Sequence, residues 1–147
     1  MNTSVLLAEN SSLERKASCG CGYLSLTLTG DPSLVAVCNC TDCQRRTGSV
    51  FGVSSFFHIE QIKEKSGKSS LYSKNGDAEP ESSSHFCPRC GTTVFWYPEF
   101  LEDHIGVAVG CFADPEFPEP QLVGWCSSKH DWVTFPEAWP SSQTQDY

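Results

Sequence analysis

The chain has 147 residues, of which 39% are hydrophobic, 12% aromatic and 19% charged. That length suits one domain, and the composition is too apolar for a disordered chain. Ten Lys and Arg against 18 Asp and Glu leave a formal net charge of −8, which argues against a nucleic-acid partner, because phosphate binding needs Lys and Arg.

No apolar run approaches the ~20 residues of a membrane span. Val5-Leu6-Leu7-Ala8, with no basic residue before it, is too short for a secretory signal. The expectation is a cytoplasmic protein with no membrane partner. Residues 1–16 read as a flexible N-terminal tail. In residues 23–29, Leu24, Leu26 and Leu28 alternate with polar side chains, the period of a half-buried strand, closed by Gly30-Asp31-Pro32. A second strand over 34–37 runs into Cys38. Residues 41–47 read as a tight turn or short helix stopped by Gly48, and 50–57 as a buried β-branched and aromatic strand.

Further along, 58–66 reads as a helical turn, Leu71-Tyr72 as part of a short strand and 74–84 as an acidic surface loop. Strands are expected over 93–97 and 106–112, with a Pro-rich loop over 114–120. Final strands should carry Trp125 and Trp132 before a polar tail. The sum is a mainly β domain of many short strands.

Nine cysteines are the unusual number. An odd count without a secretory signal points away from a disulfide framework and towards metal ligands. Cys87-Pro88-Arg89-Cys90-Gly91 has the form of a zinc knuckle: two thiolates three residues apart on a tight turn can both reach one zinc. Gly91 permits the positive φ that turns backbone amides towards the sulfurs. Cys19-Gly20-Cys21 puts two thiols on one side of an extended segment. Each pair supplies half of a four-cysteine site.

Cys38, Cys40 and Cys43 place three thiolates within six residues. Three protein ligands with a fourth position open is the pattern of a zinc site that takes water or substrate. Three thiolates donate more charge than three imidazoles, so such a zinc is a weak Lewis acid for carbonyls but suits an incoming thiol. A site closed by His85, His58, His104 or His130, or by a further cysteine, is the alternative. Spacing alone leaves open which pairs share a metal. Cys111 and Cys126 stand singly and read as core.

Together, Cys19 to Gly22, Cys38 to Ser49, His85 to Thr92, Val109 to Pro115 and the late Trp132 resemble the glutathione-dependent formaldehyde-activating enzyme family, which also includes centromere protein V. The resemblance runs over 17–140 and implies the Mss4-like β fold, with short antiparallel strands stapled by zinc. It makes 17–140 a single zinc-binding domain and 141–147 a C-terminal tail. It implies two zinc ions per chain: a structural one on Cys19, Cys21, Cys87 and Cys90, and a catalytic one on Cys38, Cys40 and Cys43. The family reaction joins formaldehyde to the glutathione thiol, formally a carbon–sulfur lyase run in reverse. One position departs from the pattern: Val123 stands where members often carry a histidine.

Arg46, beside Arg45, reads either as a contact to a substrate carboxylate or as a solvated turn charge. Gly48 and Ser49 can offer amides or a hydroxyl near the metal. Trp132, like Trp125, can wall a pocket or anchor a core. Phe51, Phe56 and Phe57 are expected in the core, and His85 and His130 are candidate proton carriers. The expected activity is a zinc-dependent carbon–sulfur lyase type on a small molecule, with glutathione or another thiol as partner and a homo-oligomer as a possible assembly. The alternatives are a zinc-dependent cyclase, isomerase or hydrolase of specialised metabolism, and a non-catalytic zinc-stabilised interaction domain.

Overall fold

A computed structural model describes residues 13–74 and 83–145. Most of the tail expected over 1–16 and of the acidic loop expected over 74–84 lies outside the described residues. In chain order the strands are β1 (Glu14–Ser18), β2 (Ser25–Thr29), β3 (Leu34–Cys38), β4 (Gly52–His58), β5 (Ile62–Ser66), β6 (Ser70–Tyr72), β7 (Ser84–Phe86), β8 (Thr93–Trp96), β9 (His104–Ala108) and β10 (Leu122–Gly124). Among the described residues, one α-helix, α1 (Thr41–Thr47), lies between β3 and β4. The chain is mainly β, with the short antiparallel strands of the Mss4-like fold.

Two sheets form. The smaller has the order β1-β2-β5, and the larger β10-β3-β4-β9-β8-β7-β6. All pairs are antiparallel except β10 with β3. The leucine alternation does its expected work: Leu24, Leu26 and Leu28 are buried against Phe57, Val94, Phe95, Ile105 and Val107 of the larger sheet. Burying each such side chain contributes about 1.5–3 kcal/mol, so this interior holds the sheets face to face.

Several expectations need correction. β1 takes in Glu14–Lys16 of the expected tail, because its backbone pairs along β2 from Glu14↔Thr29 to Ser18↔Ser25 and only Ala17 needs to be buried. The helical turn expected over 58–66 is confined to Ile59–Gln61, capped by His58, and Ile62–Ser66 is the charged, mostly exposed strand β5. The strand expected over 106–112 ends at Ala108; Val109–Phe112 forms a 3-10 turn. Trp125 and Trp132 lie in no strand. Trp125 follows β10 in a left-handed conformation, φ 57°. The polar tail is not loose where it is described: Ser141 bridges Val123, and the N–H groups of Trp125, Cys126 and Ser127 donate to the carbonyls of Thr144, Ser142 and Gln143. Phe56 and Phe57 are core as expected, while Phe51 is half-buried against Phe135.

One close approach sets a feature of the site. Gly106 on β9 lies opposite Trp96 on β8, and a Cβ at 106 would sit 2.3 Å from the indole Nε1. Gly106 therefore lets the indole lie flat across the sheet. Gly106→Ala should displace Trp96 and cost about 1–3 kcal/mol as overpacking does, read as a lower urea midpoint; an unchanged midpoint would mean that the indole is not held there.

Candidate metal centres and the adjoining cleft

Four sulfurs meet where the first loop touches the knuckle. Cys19, Cys21, Cys87 and Cys90 have their Sγ atoms within 4.8 Å of one another, and Cys21 Sγ is 3.7 Å from both Cys19 Sγ and Cys87 Sγ. A tetrahedron with zinc–sulfur bonds of about 2.3 Å has edges of about 3.8 Å, so the donors fit zinc. Backbone amides aim at the sulfurs as thiolates require: Leu24 N donates to Cys19 Sγ at 3.2 Å and Arg89 N to Cys87 Sγ at 3.3 Å. Gly91 has the expected positive φ, 82°, and closes the knuckle with Gly91 N donating to Cys87 O. Gly20 N donates to Thr92 Oγ1, tying the two loops together. Hydrogen bonds to the Thr92 side chain and backbone hold Cys90 down to about 5. Of the pairings left open by spacing, the fold brings together Cys19 and Cys21 with Cys87 and Cys90.

The second cluster stands at the end of the larger sheet. Cys38 ends β3 with Gly52 of β4 on one side and Gly124 of β10 on the other. Cys40 caps α1, its Sγ accepting from Cys43 N at 3.3 Å. Gly48 ends the helix in the left-handed region, as the sequence indicated. Between the ligands, buried Asn39 anchors the loop to β10: its N and Nδ2 both donate to Gly124 O, and its carbonyl accepts from Gln44 Nε2 and Ser128 Oγ.

The sulfurs of Cys38, Cys40 and Cys43 lie within 4.8 Å of one another. Hydrogen bonds from the Cys38 and Cys43 thiols hold Cys40 well below the ordinary thiol range. Contacts with Cys40 and Cys43, then burial, push Cys38 far above it. Three sulfurs so close cannot all ionise without a cation, and a donor set of three thiolates suits zinc.

Among the described residues no histidine joins either cluster. His85 stacks on Phe95 and bonds Ser69 Oγ, His58 faces His104, and His130 packs on Trp132. Val123 is buried in β10. Cys111 is half-buried and burial pushes its thiol up to about 11; Cys126 is likewise half-buried.

A cleft of about 860 Å³ opens on the three-cysteine cluster. Arg46 lines it, its guanidinium stacked 4.4 Å over the Trp96 ring. A Cβ at Gly52 would lie 2.9 Å from Arg46 Nη2, so the small residue beside Cys38 also makes room for this arginine. Gly48 and Ser49 lie outside the lining, with Ser49 N donating to Thr47 Oγ1. Trp132 is also outside it and 73% exposed. Trp125 does line the cleft.

Sequence reasoning missed the cleft's apolar walls, Phe56, Phe86, Trp96 and Phe100, and its third cation, Lys74. For Trp96 the cause is a bulge: Phe86 pairs with Thr93 but His85 with Phe95. The extra residue puts Thr93 and Trp96, three apart, on the same cleft. Simple alternation would separate them. Lys74 pairs with Asp42 at 3.1 Å, while Arg45 and Arg46 make no ion pair among the described residues.

The sequence model of the family described as glutathione-dependent formaldehyde-activating enzyme matches residues 14–128. No functionally curated protein matches the chain. Among solved structures, the crystal structure of a Rhodobacter sphaeroides protein is similar at 19% identity and a TM-score of 0.48, over 65% of this chain and 85% of that one.

Zinc analysis with thermal unfolding should separate the two clusters. Cys87→Ser should lose one equivalent of zinc and most of the stability, since a closed zinc site contributes on the order of 10–16 kcal/mol. Cys40→Ser should lose one equivalent and keep the fold; equal unfolding of both variants would overturn this division.

Proposed function

Because the chain belongs to the glutathione-dependent formaldehyde-activating enzyme family, matched over residues 14–128, we propose that it is a zinc-dependent enzyme of carbon–sulfur lyase type acting on a small-molecule thiol and its carbonyl adduct. The observation that carries this reading is a cluster of only three cysteines among the described residues, facing an open cleft. In this reading the chain forms a single domain with two zinc ions. Cys19, Cys21, Cys87 and Cys90 hold the structural ion, and Cys38, Cys40 and Cys43 the catalytic one. Zinc bound at the three cysteines supplies the positive charge that favours a substrate thiol as its thiolate near neutral pH.

The chain's own side chains supply the rest. Arg45 and Arg46, with Lys74 paired to Asp42 beside them, leave the rim net positive in a protein of net charge −8, suited to the carboxylates of a substrate such as glutathione. Trp96 holds the Arg46 guanidinium at the cleft by stacking, which places it for a charged contact. In the forward direction the thiol sulfur bonds to the carbonyl carbon, the C=O π pair moves to oxygen, and the proton given up by the thiol ends on that oxygen. Reversal cleaves the carbon–sulfur bond. Gly48, Ser49 and Trp132, placed outside the cleft, take no part in this reading.

The test is exchange between formaldehyde and S-hydroxymethylglutathione, followed by NMR at catalytic levels of zinc-loaded protein. Wild type should accelerate exchange and Cys40→Ser should not, while Arg46→Gln should weaken substrate use by about tenfold, as expected for loss of a charged hydrogen bond. No acceleration by wild type with two zinc ions bound would overturn the formaldehyde reading.

A further inference from the structure

The cleft is more aromatic than the family reaction requires. Formaldehyde has two heavy atoms and glutathione is a polar, doubly carboxylated tripeptide. The cleft of about 860 Å³ is of the size that encloses drug-sized ligands. Its aromatic side chains are placed at some conformational expense. Trp125 lines it from a left-handed backbone, φ 57°, a conformation unfavourable for a bulky residue and persistent only where the surroundings impose it. They do: Trp125 N donates to Thr144 O, and Trp125 O accepts from Ser128 N and Ser128 Oγ.

On another wall, Trp96 lies flat only because residue 106 is glycine. Phe100, on the loop before β9, packs edge-on against Phe56 with centroids 5.4 Å apart yet stays 43% exposed. On the wall of the cleft, its exposed part can cover a flat apolar group. The S-hydroxymethyl group is small and polar and cannot use that surface.

We propose that the ligand of this cleft is a thiol adduct whose sulfur-linked carbon carries a planar apolar group, so that the matching carbonyl partner is an aromatic or conjugated aldehyde rather than formaldehyde. This rests on the thiol–carbonyl reading above. The cationic rim takes the carboxylates of the thiol component, and Phe100 and Trp125, beside the Arg46-covered Trp96, take the planar group. The chemistry is unchanged: the carbon–sulfur bond forms, the carbonyl π bond breaks, and the thiol proton ends on oxygen, giving a hemithioacetal without oxidant or reductant.

Two arms test this with the full zinc-loaded chain. In the first, calorimetry compares S-(2-naphthylmethyl)glutathione with S-methylglutathione, neither of which can react. The naphthyl compound should bind at least about tenfold more tightly, and Phe100→Ala should remove most of that preference, as loss of an aromatic stacking partner does. Equal affinity for the two thioethers would overturn the proposal. In the second arm, NMR compares exchange of glutathione with 2-naphthaldehyde and with formaldehyde. A higher catalysed rate with naphthaldehyde, its ratio over formaldehyde lowered in Phe100→Ala, supports the proposal. Catalysed formaldehyde exchange without any naphthyl preference overturns it and leaves the function reading standing. Naphthyl preference in binding with no exchange of either aldehyde supports the ligand class and overturns the thiol–carbonyl chemistry.

Discussion

Four sulfurs are drawn together from two loops far apart in the chain, and the two sheets meet around them. Cys21 and Cys87 are 66 positions apart, yet their Sγ atoms lie 3.7 Å from one another. One pair immediately precedes β2 of the smaller sheet; the other links β7 to β8 of the larger. Closing so long a loop is entropically unfavourable, and the shared interior of leucines, Phe57 and Phe95 carries part of that cost. A metal on the four thiolates adds directional bonds where the hydrophobic interior supplies only non-directional burial. The knuckle thereby fixes where β8 begins, and β8 carries Trp96 to the cleft.

The second cluster obeys a different constraint, that of room. Cys38 ends a central strand between two glycines, so the chain can turn sharply into α1 and fold it back over β4. The space next to Gly52 is filled by Arg46, whose guanidinium rests on Trp96. A chain of overall acidic character thus concentrates cations beside its densest group of thiols. Charge, aromatic surface and metal donors meet at one end of the larger sheet because β3, β4, β8 and β10 all end or bend there.

What could be read from the sequence was whatever short-range chemistry dictates. Metal ligation demands close spacing, so the seven clustered cysteines stood out, and the residues closing their turns, Gly48 and Gly91, behaved as written. The leucines of β2 showed their period of two. Features decided by long-range pairing were hidden. Glu14-Arg15-Lys16 looks solvated, yet Arg15 is held by Asp31 and Phe117, and the backbone completes a sheet. The bulge opposite His85 and Phe86 reverses the side on which Trp96 falls, and no local signal marks it. Trp132 looked like a wall because it is large and aromatic, yet it projects into solvent; Phe100 looked unremarkable and lines the cleft.

The parallel pairing of β10 with β3 has a consequence for the order of assembly during synthesis. β3, Cys38 and α1 leave the ribosome long before β10 and before residues 140–144, which bond back to Val123, Trp125, Cys126 and Ser127. Until then Asn39 lacks Gly124 as its acceptor and Ser128 as its donor, and the cleft lacks Trp125. The nascent chain therefore holds three closely spaced, unshielded thiols through most of its emergence. For Cys38 that interval ends when β10 pairs along β3 and the residue is buried.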